Sequence, residues 1–159
     1  MPGQLVSLNP VVMKKHQKQI RHEMQNVLCP NSCPESLSNL AEKYLLSARR
    51  PAISQLTEVE LASAVSRKVR EKRLTETDGL RILDAFQTHI DTSMYTYLIL
   101  DSRHYRLARS WISRLSTPLG TLDALHLAVS ATSDLELITA DHQLAESAKK
   151  LGIEAELIG

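Results

Sequence analysis

From residue 36 onward the hydrophobic positions switch between two spacings. In SLSNLAEKYLLSA (36–48), Leu37, Leu40, Ala41, Tyr44, Leu45 and Ala48 recur every three or four residues, which lines one face of a helix, and Pro51 ends it. PAISQL (51–56) is a short apolar run of the kind that forms a buried strand. It feeds TEVELASAVSRKVREK, where Leu61, Val65 and Val69 make a stripe at helical spacing. Thr75 with Asp78 three residues on predicts a capped helix start, and Leu80, Leu83 and Phe86 continue its apolar face. MYTYLIL (94–100), rich in aromatic and branched residues, predicts a second strand. Residues 102–115 predict a helix, TPLGTLDALHLAVSA (117–131) predicts another, and LELIT (135–139) predicts a third strand. Asp141 then caps a helix with Leu144, Ala148 and Leu151 inward and Gly152 at its end, and IEAELI (153–158) is the last strand.

Strands alternating with helices imply an α/β fold, a mostly parallel sheet flanked by helices on both faces. The first thirty-five residues fit this scheme worst. KKHQKQIRHEMQNVLCPNSCPES gives a polar helix with a weak face and a proline-flanked loop, and only LVSL (5–8) reads as a possible strand. The expected division is therefore a poorly matching, loosely docked segment over 1–35 and the α/β domain over 36–159.

A length of 159 residues suits one domain with a core that needs no disulfide or structural metal. Hydrophobic content of 43% and charged content of 23% are ordinary for a globular protein, and no apolar run approaches the ~20 residues that span a bilayer. No membrane role is expected. The opening MPGQLVSLNPVVMKKHQ places its apolar residues before its charges and breaks them with Pro10, the reverse of a secretory signal, so a cytoplasmic protein is expected. Cys29 and Cys33 lie in CPNSC with no second pair downstream. A zinc site would have to recruit His16 and His22 from the same stretch, and reduced, incidental thiols are the simpler reading.

A formal net charge of +1 gives no global attraction for nucleic acid, so any such site must be local. Basic residues cluster as RKVREKR (67–73) and as Arg103, Arg106, Arg109 and Arg114 along one predicted helix. Solvated helix faces account for both clusters, while the i, i+3 spacing of Arg103, Arg106 and Arg109 also suits a phosphate track or an acidic partner. Aromatic content of 4% leaves little for base stacking.

Asp123 stands at the start of a helix whose other residues are almost all apolar or small, where a charge must reach water, a cap or a cation. Two further acids fall where a parallel sheet gathers ligands, beyond the C-terminal ends of strands: Glu60, in the first turn of the helix after PAISQL, and Asp141, two residues past LELIT. Each has a local explanation, Asp141 as an N-cap, Glu60 and Asp123 as first-turn charges favoured by the helix dipole. Together they suggest carboxylates whose repulsion a hard divalent ion, Mg²⁺ or Mn²⁺, would relieve, an ion able to activate water and hold a phosphate oxygen. Thr139 is a strand residue or a hydroxyl aimed at water or phosphate. His126, three residues past Asp123, reads as a core histidine rather than a ligand, since hard ions favour oxygen. Glu58 competes with Glu60, and spacing alone leaves the choice open.

The stretches ISQLTEVELASAVSRKV, GTLDALHLAVSA and LITADHQLAESAKKLGIEAELI resemble the second half of a PIN domain, and specifically the VapC-type ribonuclease toxins of bacterial toxin–antitoxin pairs, from about Pro51 to Ile158. The resemblance implies an α/β nuclease with an acidic cluster that binds Mg²⁺ or Mn²⁺ and cuts single-stranded RNA. It also implies a homodimer silenced by a small DNA-binding antitoxin. By position, the second family acid falls on Glu60, which decides against Glu58; the third falls on Asp123, and the fourth on Asp141, with Thr139 as the accompanying hydroxyl. The family's first acid, an aspartate ending the first strand, has no counterpart, because no aspartate precedes Asp78 and LVSL is followed only by the neutral Asn9. Glu23, Glu35 and Glu42 follow no convincing strand, and DTS (91–93) reads as a turn. Two functional expectations follow: a metal-dependent endoribonuclease toxin with impaired activity, or a catalytically inactive PIN-like module that binds an antitoxin or RNA. A nucleotide-binding role is disfavoured, since no glycine-rich loop follows a strand.

Overall fold

The computed structural model describes residues 4–6 and 52–157. The helix expected over 36–48, Cys29, Cys33, His16, His22, Asn9 and the acids Glu23, Glu35 and Glu42 lie outside the described residues.

The described strands are β1 (Gln4–Val6), β2 (Ala52–Ser54), β3 (Thr96–Leu98), β4 (Glu136–Thr139) and β5 (Ala155–Leu157). They form one sheet in the order β3-β2-β1-β4-β5, with every pairing parallel. Leu5 of β1 sits opposite Ala52 on one side and Leu137 on the other, so the short strand near the start of the chain is the middle of the sheet. The described helices are α1 (Gln55–Arg70), α2 (Glu76–Asp91), α3 (Ser102–Ile112), α4 (Thr121–Ser133) and α5 (His142–Leu151).

Both faces of the sheet are covered, and consecutive residues of β2 show how. Ile53 packs with Leu61 and Val65 of α1, Ile82 and Phe86 of α2, and Tyr95. Its neighbour Ala52 points the other way, into a cluster with Ala108 and Trp111 of α3, Leu125 and Ala128 of α4, and Leu144 and Ala148 of α5. Helix α4 is enclosed by this layer: Ala124 through Ser130 are all buried, which explains its greasy composition.

Strand PAISQL is shorter than expected. Helix α1 begins at Gln55, whose side-chain oxygen accepts the backbone N–H of Leu100 at 2.9 Å, and Leu56 packs against the Ala52 cluster. A continuous apolar run cannot mark where a buried strand gives way to a helix, and the boundary moves two residues earlier. One consequence touches the acids. Glu58, not Glu60, lies in the first turn of α1, so the helix dipole does not account for Glu60.

The expected caps are present. The backbone N–H of Asp78 donates to Thr75 Oγ1 at 3.1 Å, and the Thr75 hydroxyl returns a bond to Asp78 Oδ2 at 2.5 Å. Gly152 closes α5 with φ +72°, a left-handed conformation that suits glycine, and the next amide, Ile153 N–H, reaches back to the Ala148 carbonyl at 3.0 Å. DTS is a turn: it closes α2, with Ser93 at φ +56°. Among the described residues, no helix is long and apolar enough to cross a membrane.

Candidate functional site

The direction of chain winding reverses between β1 and β4: β2 and β3 lie on one side of this seam, β5 on the other. In a parallel sheet the loops diverge at such a seam and leave a crevice beyond the strand ends. The sequence that follows β1, Ser7-Leu8-Asn9, carries no acid.

Strand β4 delivers Thr139 and then Asp141 to this edge. Thr139 is buried, and its Oγ1 accepts the backbone N–H of Asp141 at 3.0 Å, so the hydroxyl holds the turn that aims Asp141. Asp141 Oδ1 accepts the N–H groups of Gln143 at 2.8 Å and Leu144 at 3.1 Å, the N-cap of α5. The side-chain amide of Gln143 donates to the Pro118 carbonyl at 3.0 Å and ties the start of α5 to the loop that leads into α4.

Asp123 lies in the first turn of α4, partly buried. Gly120 leaves room for it: a Cβ there would stand 3.3 Å from Asp123 Oδ2. Burial holds the Asp123 carboxyl above the usual aspartate range. The negative charge of Asp141 adds to the rise and Glu60 contributes further, while His126 and the Gly120 amide pull the other way. Asp141 and Glu60 thus both bear on the Asp123 carboxylate.

Glu60 reaches that edge from α1. Its Oε2 is 2.9 Å from Nε2 of His126, which is 2% exposed. Glu58 turns elsewhere and bonds Tyr97 on β3. The core reading of His126 is right as to burial, but its contact with Glu60 was not anticipated; the only hint was its position one turn past Asp123, on the same helix face. Beside Glu60, a groove of about 310 Å³ opens between α1 and α4, lined by Leu56, Val59, Arg67 and Leu122. Arg103, Arg106, Arg109 and Arg114 are exposed, and among the described residues none pairs with the three acids.

Asp123, Asp141 and Glu60 offer oxygen donors, the chemistry a hard cation prefers. Among the described residues, no three His, Cys, Asp or Glu side chains converge into a group that could hold a metal ion. One oxygen of Glu60 is engaged by His126, and one of Asp141 by the α5 N-terminus. One oxygen each of Glu60 and Asp141 is left without a hydrogen bond among the described residues.

A doubly wound parallel sheet with carboxylates at its switch point places the chain among α/β proteins that assemble a site from loops. The PIN-domain family profile matches residues 33–150, so the chain belongs to that family. Among solved structures it is similar to FitAcB from Neisseria gonorrhoeae, with a TM-score of 0.57 and 16% identity over 95% of this chain and 94% of that one, a likeness of fold. A comparison with curated protein sequences finds no match.

Proposed function

We propose that this PIN-domain chain is a VapC-like toxin: an endoribonuclease acting on single-stranded RNA with Mg²⁺ or Mn²⁺, working in the cytoplasm as a homodimer and restrained by a cognate antitoxin. The observation that carries the reading is the half-buried Asp123 carboxylate, whose ionised form is disfavoured by burial and then by the charges of Asp141 and Glu60, beside the switch point of the sheet. Asp123, Asp141 and Glu60 would hold the ion, which when bound supplies an activated water and a grip on a phosphate oxygen. Thr139 keeps Asp141 aimed by accepting its amide hydrogen, and Gly120 leaves space for the Asp123 carboxylate. The test is incubation of the purified protein with single-stranded RNA and Mn²⁺ beside Asp123→Asn. Cleavage by the wild type and its loss in the variant are expected; equal cleavage by both would remove this mechanism.

A second reading is favoured by one specific observation, the absence of an acid just after β1 where the family places its first. It is a PIN-like module that binds an antitoxin or RNA without cutting. Calorimetric titration with Mn²⁺ separates the two, because the module predicts no saturable binding and the nuclease predicts binding that depends on Asp123.

A further inference from the structure

Resting on the nuclease reading, we propose that His126 is a positioning residue: it fixes the Glu60 carboxylate so that the remaining oxygen, Oε1, is the one offered to the ion. A carboxylate only accepts, so Nε2 of His126 carries the hydrogen and donates it to Glu60 Oε2 over 2.9 Å. The two residues lie 66 positions apart, on α1 and α4, and the bond bridges the helix that brings Glu60 to the one that brings Asp123.

The surroundings make the contact directional. His126 sits within the buried run of α4, flanked by Leu125 and Leu127, and cannot swing into solvent as a surface histidine would. Its Nδ1 is buried with no hydrogen-bond partner among the described residues, so Glu60 is the polar contact that orients the ring. A buried imidazole with one nitrogen unmatched is an unfavourable way to fill a core, where leucine would avoid the cost. Its use here is explained by what the other nitrogen holds. Glu60 is long, flexible and about a quarter exposed, its side chain 27% accessible, and among the described residues Oε1 takes no hydrogen bond. With Oε2 fixed, the carboxylate loses rotational freedom before an ion arrives.

The experiment compares His126→Leu, which keeps the bulk and removes the donor, with His126→Gln, whose side-chain amide can place an N–H near the position of Nε2. Mn²⁺ affinity is measured by calorimetry, folding by near-ultraviolet circular dichroism, and RNA cleavage alongside. Loss of about 10–100-fold in Mn²⁺ affinity for His126→Leu, with most of it recovered in His126→Gln, is expected. In a Glu60→Gln background, His126→Leu should weaken Mn²⁺ binding no further, an outcome a purely structural role would not give. Wild-type affinity in a folded His126→Leu protein would overturn the positioning role and leave the nuclease reading standing. Equal loss in two folded variants, Leu and Gln, would also overturn it. Absence of Mn²⁺ binding in the wild type would overturn both.

Discussion

The hydroxyl of Tyr97 donates to Oε2 of Glu58 over 2.5 Å, joining the edge strand β3 to the first turn of α1. This bond separates two glutamates that spacing could not distinguish: Glu58 is spent on holding strand to helix, and Glu60 is left to meet His126. It also makes stability depend on pH. Burial, then the hydrogen bond and charge of Glu58, push the Tyr97 hydroxyl up to about 12 against an opposing bond from Gln55. An unfolded tyrosine titrates near 10.0, so across the interval up to about 12 the folded chain keeps a proton that the unfolded chain has lost. Stability therefore falls as pH rises through that window. The drop in urea midpoint across this range should be larger in the wild type than in Tyr97→Phe. At neutral pH the same substitution should cost about 1 kcal/mol, the usual worth of a hydrogen bond. Identical pH slopes in the two proteins would show that the hydroxyl is not coupled to folding.

Asp141 has two roles to separate, helix cap and site carboxylate. Its Oδ1 receives two backbone N–H groups of α5, and removing such a cap costs about 0.5–2 kcal/mol. Asp141→Ala should lower stability by that amount. Asp141→Ser retains a capping oxygen and no charge, so it should melt near the wild type yet lose Mn²⁺-dependent RNA cleavage. Full cleavage by Asp141→Ser would assign the residue to capping alone.

The elements most legible in the sequence are those whose signals are local. Thr75 with Asp78, Asp141 before its helix and Gly152 after it each announce a boundary through one or two backbone bonds, and each lies where expected. The two-faced sheet was equally legible, because strands and helices alternate along the chain. What the pattern hid is non-local. Gln55, the first residue of α1, accepts the Leu100 amide 45 residues away, and the His126–Glu60 contact exists only after α1 and α4 have packed. Of the site, Asp123 stood out because a charge in an apolar helix needs a reason, whereas choosing Glu60 over Glu58 needed the family resemblance. The geometry separates the two by pairing Glu58 with Tyr97.

Gly120 tests whether the Asp123 carboxylate needs its present place. The residue has φ −73°, open to any side chain, so Gly120→Ala introduces no backbone strain. The cost of alanine at an N-cap and the gain from a less flexible unfolded chain oppose each other, leaving a net change within about 0.5 kcal/mol. The new methyl would stand 3.3 Å from Asp123 Oδ2, close enough to push the carboxylate aside by a few tenths of an ångström. Mn²⁺ affinity and cleavage should therefore fall while the melting temperature stays. Unchanged affinity in this variant would show that the site tolerates movement of Asp123.

Asp123 itself should weaken the fold at neutral pH. Its carboxyl titrates above the ordinary 3.8, so as pH rises from that value to the raised one the folded chain holds a proton that the unfolded chain releases. Stability declines across the window, and above it the folded protein carries an ionised group that burial, Asp141 and Glu60 all disfavour. Asp123→Asn removes that charge at nearly constant shape. The variant should be more stable than the wild type at pH 7, with the advantage shrinking toward pH 4. Millimolar Mn²⁺ should then raise the melting temperature of the wild type and leave the variant unmoved, because an ion that binds only the folded state stabilises it in proportion to its occupancy. Thermal melts of the two proteins at pH 4 and pH 7, with and without Mn²⁺, supply every comparison. A variant less stable than the wild type at pH 7 would mean that the contacts of the carboxylate outweigh the repulsion around it, and that Asp123 is a structural feature of the fold.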